Sequence, residues 1–281
     1  MNPAELKVSR VDTTKPGGGA VRCLTGHAAN RTIAHLPMKP VEFKQDHVRI
    51  VYDAERWSDV RPEVFREDWW ERLGRVSGSA RGRGSAIFID APFGPGVLKQ
   101  YRRGGLPAKF VTGQYLFTGY QRSRPFREFS LLSRLQDLGL PVPAPLAACC
   151  ARSGLLYRGA LITERVSNAV TLSDYLCLET PDDRQLYRVG ETVARFHSRG
   201  VRHADLNGAN IMVTDEGNVV LLDFDRGHFD PRSPIKGRRS LNRLRRSLEK
   251  LDIDAAVLEA CWRSLEKGHH DGYQDAKPSL P

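Results

Sequence analysis

The chain has 281 residues, 40% hydrophobic and 27% charged, enough to bury a proper core in one two-lobed domain or two small ones. No apolar run approaches the roughly eighteen residues of a membrane span and the N-terminus lacks the apolar stretch of a secretory signal, so a cytoplasmic protein is expected. A formal charge of +10 points to an anionic partner: nucleic acid, a phospholipid surface or a phosphorylated substrate.

The positive charge is unevenly spread. Eight Lys or Arg fall between Lys99 and Arg134 and eight more between Arg232 and Lys250, which makes two basic blocks. Five cysteines (Cys23, Cys149, Cys150, Cys177 and Cys261) are few, odd in number and not spaced as a disulfide framework, so reduced, packed thiols are expected. Cys23 with His27 and His35 lacks the second nearby Cys that a zinc site calls for.

Residues 1–45 read as a flexible extension, because 16–19 is Pro-Gly-Gly-Gly and no apolar period of 3.6 or 2 persists. Val48, Ile50 and Val51 open a strand-like segment, and the aromatic, acidic stretch from Pro62 to Trp70 predicts a short helix. A glycine-rich run over 78–85 precedes a strand over 86–89, and after a turn over 91–96 a second strand begins at Val97 and carries Lys99. Glycine between strands lets backbone N–H groups approach phosphates closely. Gly82 and Gly84 are therefore candidates to cover a nucleotide, and Lys99 to hold its phosphates; without the strands the run would be only a loop.

Phe126, Phe129, Leu132 and Leu135 repeat on one face of a helix predicted over 125–138, which Gly139 and Pro141 end. Glu128 lies one turn inside it. That is a favourable place for a solvated carboxylate near a helix N-terminus, and equally the place from which a carboxylate would hold Lys99. An apolar strand over 157–162 turns polar at 163–166, as where two lobes meet, so the backbone groups of Glu164 and Val166 are expected to be free for an adenine edge. Leu186, Val189, Val193 and Phe196 mark a helix that leads into His203.

The densest signal follows. Asp205, Asn210 five residues on, and Asp223 eighteen residues after the first Asp have the spacing of the catalytic core of protein-kinase-like phosphotransferases. Between them, 211–213 and 219–222 predict the strands of a hairpin whose turn is 214–218. A hairpin brings its ends together, so Asn210 and Asp223 converge as oxygen donors suited to Mg2+ carried in with ATP. Asp205 is then the candidate base. An ordinary surface hairpin with polar flanks would not explain why Lys99 and Glu128 precede it in kinase order.

These residues resemble the lipopolysaccharide core kinases that act on 3-deoxy-D-manno-octulosonic acid (Kdo). The resemblance rests on His203-Ala204-Asp205-Leu206-Asn207 through Asn210, on Asp223-Phe224-Asp225-Arg226-Gly227, on the block Leu98 to Leu106, and on Arg127-Glu128-Phe129. It covers roughly residues 48–250 and implies an α+β, two-lobed kinase-like fold. A β-rich N-lobe with one key helix would occupy 46–163, and a shortened, mostly helical C-lobe 164–281. The implied activity is ATP-dependent phosphorylation of Kdo on a lipid A precursor, at its 4-hydroxyl, by a peripheral protein on the cytoplasmic face of the inner membrane.

Some features separate the chain from protein kinases. Only 58 residues follow Asp223 and none forms an A-P-E-like segment, so a platform for a protein substrate is not expected. Asn207 stands where protein kinases usually carry a lysine, which leaves Arg226, Arg102 or Arg103 to supply a cation. Asp225 replaces the glycine of D-F-G, which argues against a flipping activation segment. Near the C-terminus, Leu241, Leu244, Leu248 and Leu251 line one helical stripe and Arg239, Arg243, Arg246 and Lys250 another, so an anionic inner-membrane surface is an expected partner. Aromatics are not interleaved with the basic blocks, so nucleic acid is not. The alternatives are a heptose kinase of the same oligosaccharide core, a lower-ranked aminoglycoside-type kinase, and a non-catalytic kinase-like protein that binds anionic lipid.

Overall fold

Period-two alternation builds one eight-stranded antiparallel sheet from the N-terminal half of the chain. The computed structural model of the protein describes residues 39–80, 85–101, 114–177, 181–233 and 237–275, all within one compact unit. Gly82, Gly84, Arg102, Arg103, Cys23, His27 and His35 lie outside them. The strands are β1 (Pro40–Gln45), β2 (Val48–Asp53), β3 (Val76–Ser79), β4 (Ser85–Ala91), β5 (Gly94–Gln100), β6 (Tyr115–Leu116), β7 (Pro145–Ser153) and β8 (Leu156–Glu164). Their order is β1-β2-β7-β8-β5-β4-β3, with β6 also on β8.

Two expectations change here. Residues 40–45 are not part of a flexible extension: they pair with β2 in unbroken register from Pro40–Asp53 to Gln45–Val48. The short helix expected over 62–70 is two pieces, a 3-10 turn at Pro62–Phe65 and helix α1 (Glu67–Arg72), because Arg66 between them is extended.

Each face of the sheet has its own cover. On one face, Ile50, Ile89, Leu98 and Ile162 pack under Trp57, Phe65 and Trp70, and the Trp70 indole donates to the Val64 carbonyl at 2.7 Å. On the other lies α2 (Arg124–Asp137), where Phe126, Phe129, Leu132 and Leu135 are buried. Each such side chain contributes about 1.5–3 kcal/mol by leaving water. Strand β7 is buried on both faces from Pro145 to Cys150, and burial pushes the Cys150 thiol up to about 11, so it stays protonated.

The C-terminal half is mostly helical. β9 (Ala169–Thr171) leads into α3 (Leu172–Leu176), capped by the Thr171 hydroxyl, and α4 (Asp183–Ser198) is capped by Asp182. β10 (Val201–Arg202) precedes the predicted hairpin, β11 (Ile211–Thr214) with β12 (Val219–Leu221), and β9 adds a third strand to it. β13 (His228–Phe229) pairs with β10, and α5 (Arg238–Leu248) and α6 (Ala255–Asp275) follow. The 21-residue α6 packs along α4. That contact needs two glycines: a Cβ on Gly190 would lie 2.0 Å from the Leu265 carbonyl oxygen, and one on Gly268 2.0 Å from that of Tyr187.

Candidate active site

Alternation along β5 sends Leu98 into one core and Lys99 to the opposite face, toward α2. There Glu128, only 2% exposed, takes the Lys99 ammonium in both carboxylate oxygens, at 3.0 and 2.9 Å. The Tyr101 hydroxyl, two residues further along and just past the end of β5, also donates to Glu128. Burial, reinforced by Glu128, holds the Tyr101 phenol well above its usual pKa. Lys99 also reaches Asp223 at 2.6 Å. Burial disfavours the Lys99 cation, but the two carboxylates outweigh it and its pKa stands above the ordinary lysine value. Glu128 is therefore the partner of Lys99 and not a solvated charge.

The hairpin delivers the other half of the site. Leu222 donates its N–H to the Asn210 carbonyl at 2.9 Å, which ties the two ends together. Asp223 follows in the left-handed backbone region (φ 58°) with its side chain 42% exposed. Non-glycine residues held there cost of order 1 kcal/mol and gather at functional sites. Asn210 donates its side-chain amide to the Asp205 carbonyl at 2.9 Å, which leaves Oδ1 as its donor atom for a cation. Among the described residues no three His, Cys, Asp or Glu cluster to hold a metal. The donor set of Asp223 and Asn210 nevertheless fits Mg2+, which takes one or two protein oxygens and completes its shell with phosphates and water.

Asp205 is held by its backbone, and its carboxylate is 62% exposed. Its N–H donates to His203 Nδ1 at 3.1 Å, while His203 Nε2 donates to the Leu222 carbonyl at 2.7 Å. These partners assign one neutral tautomer, and burial depresses the pKa of the ring. His203 thus joins the Asp205 loop to the strand that presents Asp223. Asn207 does not act as a cation: Oδ1 accepts the Ala209 and Asn210 N–H groups and Nδ2 donates to the Asp205 carbonyl, so it caps the 3-10 turn Gly208–Asn210.

Further contacts were not legible locally. Arg124 pairs with Asp225 (Nε to Oδ1 2.8 Å) and donates to the Tyr115 hydroxyl at 2.7 Å, which pins the segment after Asp223 to α2. Arg124 lies four residues before Glu128 on the same helix face, a spacing that is itself a signal. Arg243, expected to face a membrane with Arg239, Arg246 and Lys250, instead brings Nη1 to 3.3 Å from Asp205 Oδ1. Arg226 lines a cleft of about 230 Å³ beside α2, with Arg127 and Arg134. At the lobe junction the Glu164 N–H is not free as expected but donates to the Ala144 carbonyl at 2.8 Å. No helix among the described residues is long and apolar enough to cross a membrane.

A strand lysine locked to a helix carboxylate, facing an Asp-Asn loop and a second Asp across a hairpin, defines a protein-kinase-like phosphotransferase. The model of the lipopolysaccharide kinase (Kdo/WaaP) family matches residues 67–268, and the chain belongs to that family. It is 44% identical over 208 residues to the 3-deoxy-D-manno-octulosonic acid kinase of Stenotrophomonas maltophilia (strain R551-3), covering 74% of this chain and 83% of the relative. The enzymes of the same name from Xanthomonas campestris pv. campestris (strain B100) and Xylella fastidiosa (strain M12) are 43% and 40% identical. They cover 76% and 78% of this chain and 85% and 86% of their own lengths.

Proposed function

We propose that this protein phosphorylates a Kdo hydroxyl of Kdo–lipid A, the 4-hydroxyl, with ATP as donor and Mg2+ as cofactor, in assembly of the lipopolysaccharide core. The observation that carries the reading is the convergence of Lys99 on both Glu128 and Asp223 beside Asp205, in a chain 40–44% identical to Kdo kinases. The two lobes meet at 163–166, with β1 added to the N-lobe.

Asp205 receives the proton of the sugar hydroxyl as its oxygen bonds to the γ-phosphorus and the bond to the β-phosphate bridge breaks. Lys99, fixed by Glu128, binds the donor phosphates. Asn210 and Asp223 hold Mg2+, whose contribution when bound is to neutralise phosphate charge. The segment joining β3 and β4, with Gly82 and Gly84, covers the nucleotide. The Val166 N–H and the Glu164 carbonyl read the adenine edge, since the Glu164 N–H is committed. Positioning and charge carry most of such a reaction, so these few groups suffice.

The acceptor bears carboxylates and phosphates and resides in a membrane, which accounts for the basic blocks. The protein is read as peripheral on the cytoplasmic face of the inner membrane, with Arg239, Arg246 and Lys250 toward anionic lipid. The test is purified protein with Mg2+, ATP and Kdo–lipid A, followed by mass spectrometry and positional analysis of the product. A single added phosphate on the Kdo 4-hydroxyl is expected. Phosphate on a heptose, or ATP turnover indifferent to the Kdo lipid, defeats the assignment.

A further inference from the structure

The catalytic loop contains no cation of its own. Asn207 occupies the lysine position and is spent on capping a turn, Lys99 is committed to Glu128 and Asp223, and Arg226 lines the cleft at α2. Arg243 alone among the described residues forms an ion pair with Asp205.

That pair is not an incidental meeting of two surface side chains, because both backbones are held. Helix α5 is fixed by buried Leu241, Leu244 and Leu248. One turn after Arg243, on the same helix face, Ser247 Oγ accepts the Gly208 N–H at 3.1 Å. Gly208 itself sits so close that an added Cβ would lie 2.8 Å from Leu248 Cδ2 and 2.4 Å from Ser173 Oγ. The face of α5 that carries positions 243 and 247 is therefore docked on the loop that carries Asp205. Asp205 and Arg243 are 62% and 52% exposed, and an ion pair that exposed contributes little to stability. Its position beside the reacting carboxylate is what distinguishes it.

We propose that Arg243 is a positioning residue for phosphoryl transfer: its guanidinium orients the Asp205 carboxylate and brings to the transfer site the positive charge that the catalytic loop lacks. The inference rests on the phosphotransferase reading, so wild type and Asp205→Ala are assayed beside every variant. Arg243→Gln should lower kcat by about 10²-fold, the scale of losing one preorganised electrostatic partner. The KM for ATP and the melting temperature should stay near wild type. Arg243→Lys should retain part of the rate, and added guanidinium ion should restore turnover to Arg243→Ala. Arg263→Gln, which removes one exposed charge from α6 outside both basic blocks, should keep wild-type kcat.

A wild-type kcat in Arg243→Gln overturns the proposal. So does a loss that guanidinium and lysine leave unrepaired while the melting temperature falls, since that is the pattern of a structural contact. If wild type fails to phosphorylate Kdo–lipid A, the acceptor assignment is at fault, and magnesium-dependent ATP hydrolysis becomes the readout for the same variants.

Discussion

The two sides of the site treat charge in opposite ways. Around Lys99 the groups are enclosed: Glu128 is 2% exposed, and Tyr101 and Lys99 both bind it, so the Lys99 ammonium is held in a largely buried network. Around Asp205 the carboxylate and its arginine are both more than half exposed, and order comes from the backbone through His203, Asn207 and Asn210. On the proposed function, the closed side would meet a small, constant donor and the open side a bulky acceptor. Breaking the closed side should cost folding as well as turnover. Breaking the open side should cost turnover alone.

The largest effect expected is on the open side. Asp205→Ala should lower kcat by about 10²–10⁴-fold, the range of a lost general base, with ATP binding and the denaturation midpoint unchanged. Calorimetric ATP binding beside a turnover assay checks both halves, and a variant that turns over normally removes Asp205 from the chemistry. On the closed side, Glu128→Ala strands Tyr101 and half-frees Lys99, and should cost about 3 kcal/mol of stability in urea unfolding together with activity. Glu128→Gln keeps the shape, so it should recover much of the stability and little of the rate. If both variants melt like wild type, the network is not the stabilising element described.

Asp223→Asn should raise the Mg2+ concentration needed for half-maximal rate more than Asn210→Ala does, because it removes a charged donor. A magnesium titration separates them, and EDTA should stop the reaction in wild type.

The helical half has a pH liability of its own. His197 and His269 face each other across α4 and α6 at 2.8 Å, and burial holds their pKa values down, to about 3 and about 4. Unfolded histidines take up protons near pH 6.5, which the folded pair resists. Stability is therefore complete above about pH 6.5 and declines as pH falls toward 4, by a few kcal/mol in all. Unfolding midpoints from pH 7.5 to 4.5 test this, with His269→Phe expected to flatten the profile. The smallest effect lies at the surface. Replacing Arg239 and Arg246 by Gln should weaken binding to anionic vesicles by roughly 1 kcal/mol per residue at low salt, read by cosedimentation.

What was legible in the sequence was local or periodic. The 211–222 hairpin, the stripe on α2 and the ends that carry Asn210 and Asp223 all follow from neighbours within a few residues. β7 escaped because Ala-Ala-Cys-Cys, buried on both faces, shows no alternation. β1 escaped for the reverse reason: as a mostly exposed edge strand it has little apolar signal beyond Val41 and Phe43. Tyr101 was readable from the strand period and Arg124 from the helix period. Arg243 was not, since 38 residues separate it from Asp205 and only the docking of α5 on Gly208 brings them together.

The Arg124–Asp225 pair has a consequence for control. Protein kinases often wait for a phosphate on the segment past the metal-binding Asp, which an arginine then clasps to switch the enzyme on. Here an encoded carboxylate, Asp225, already holds Arg124, so the segment past Asp223 is joined to α2 without any added phosphate. A contact built from two encoded side chains is set by folding alone, so its cost and its benefit are fixed with the fold.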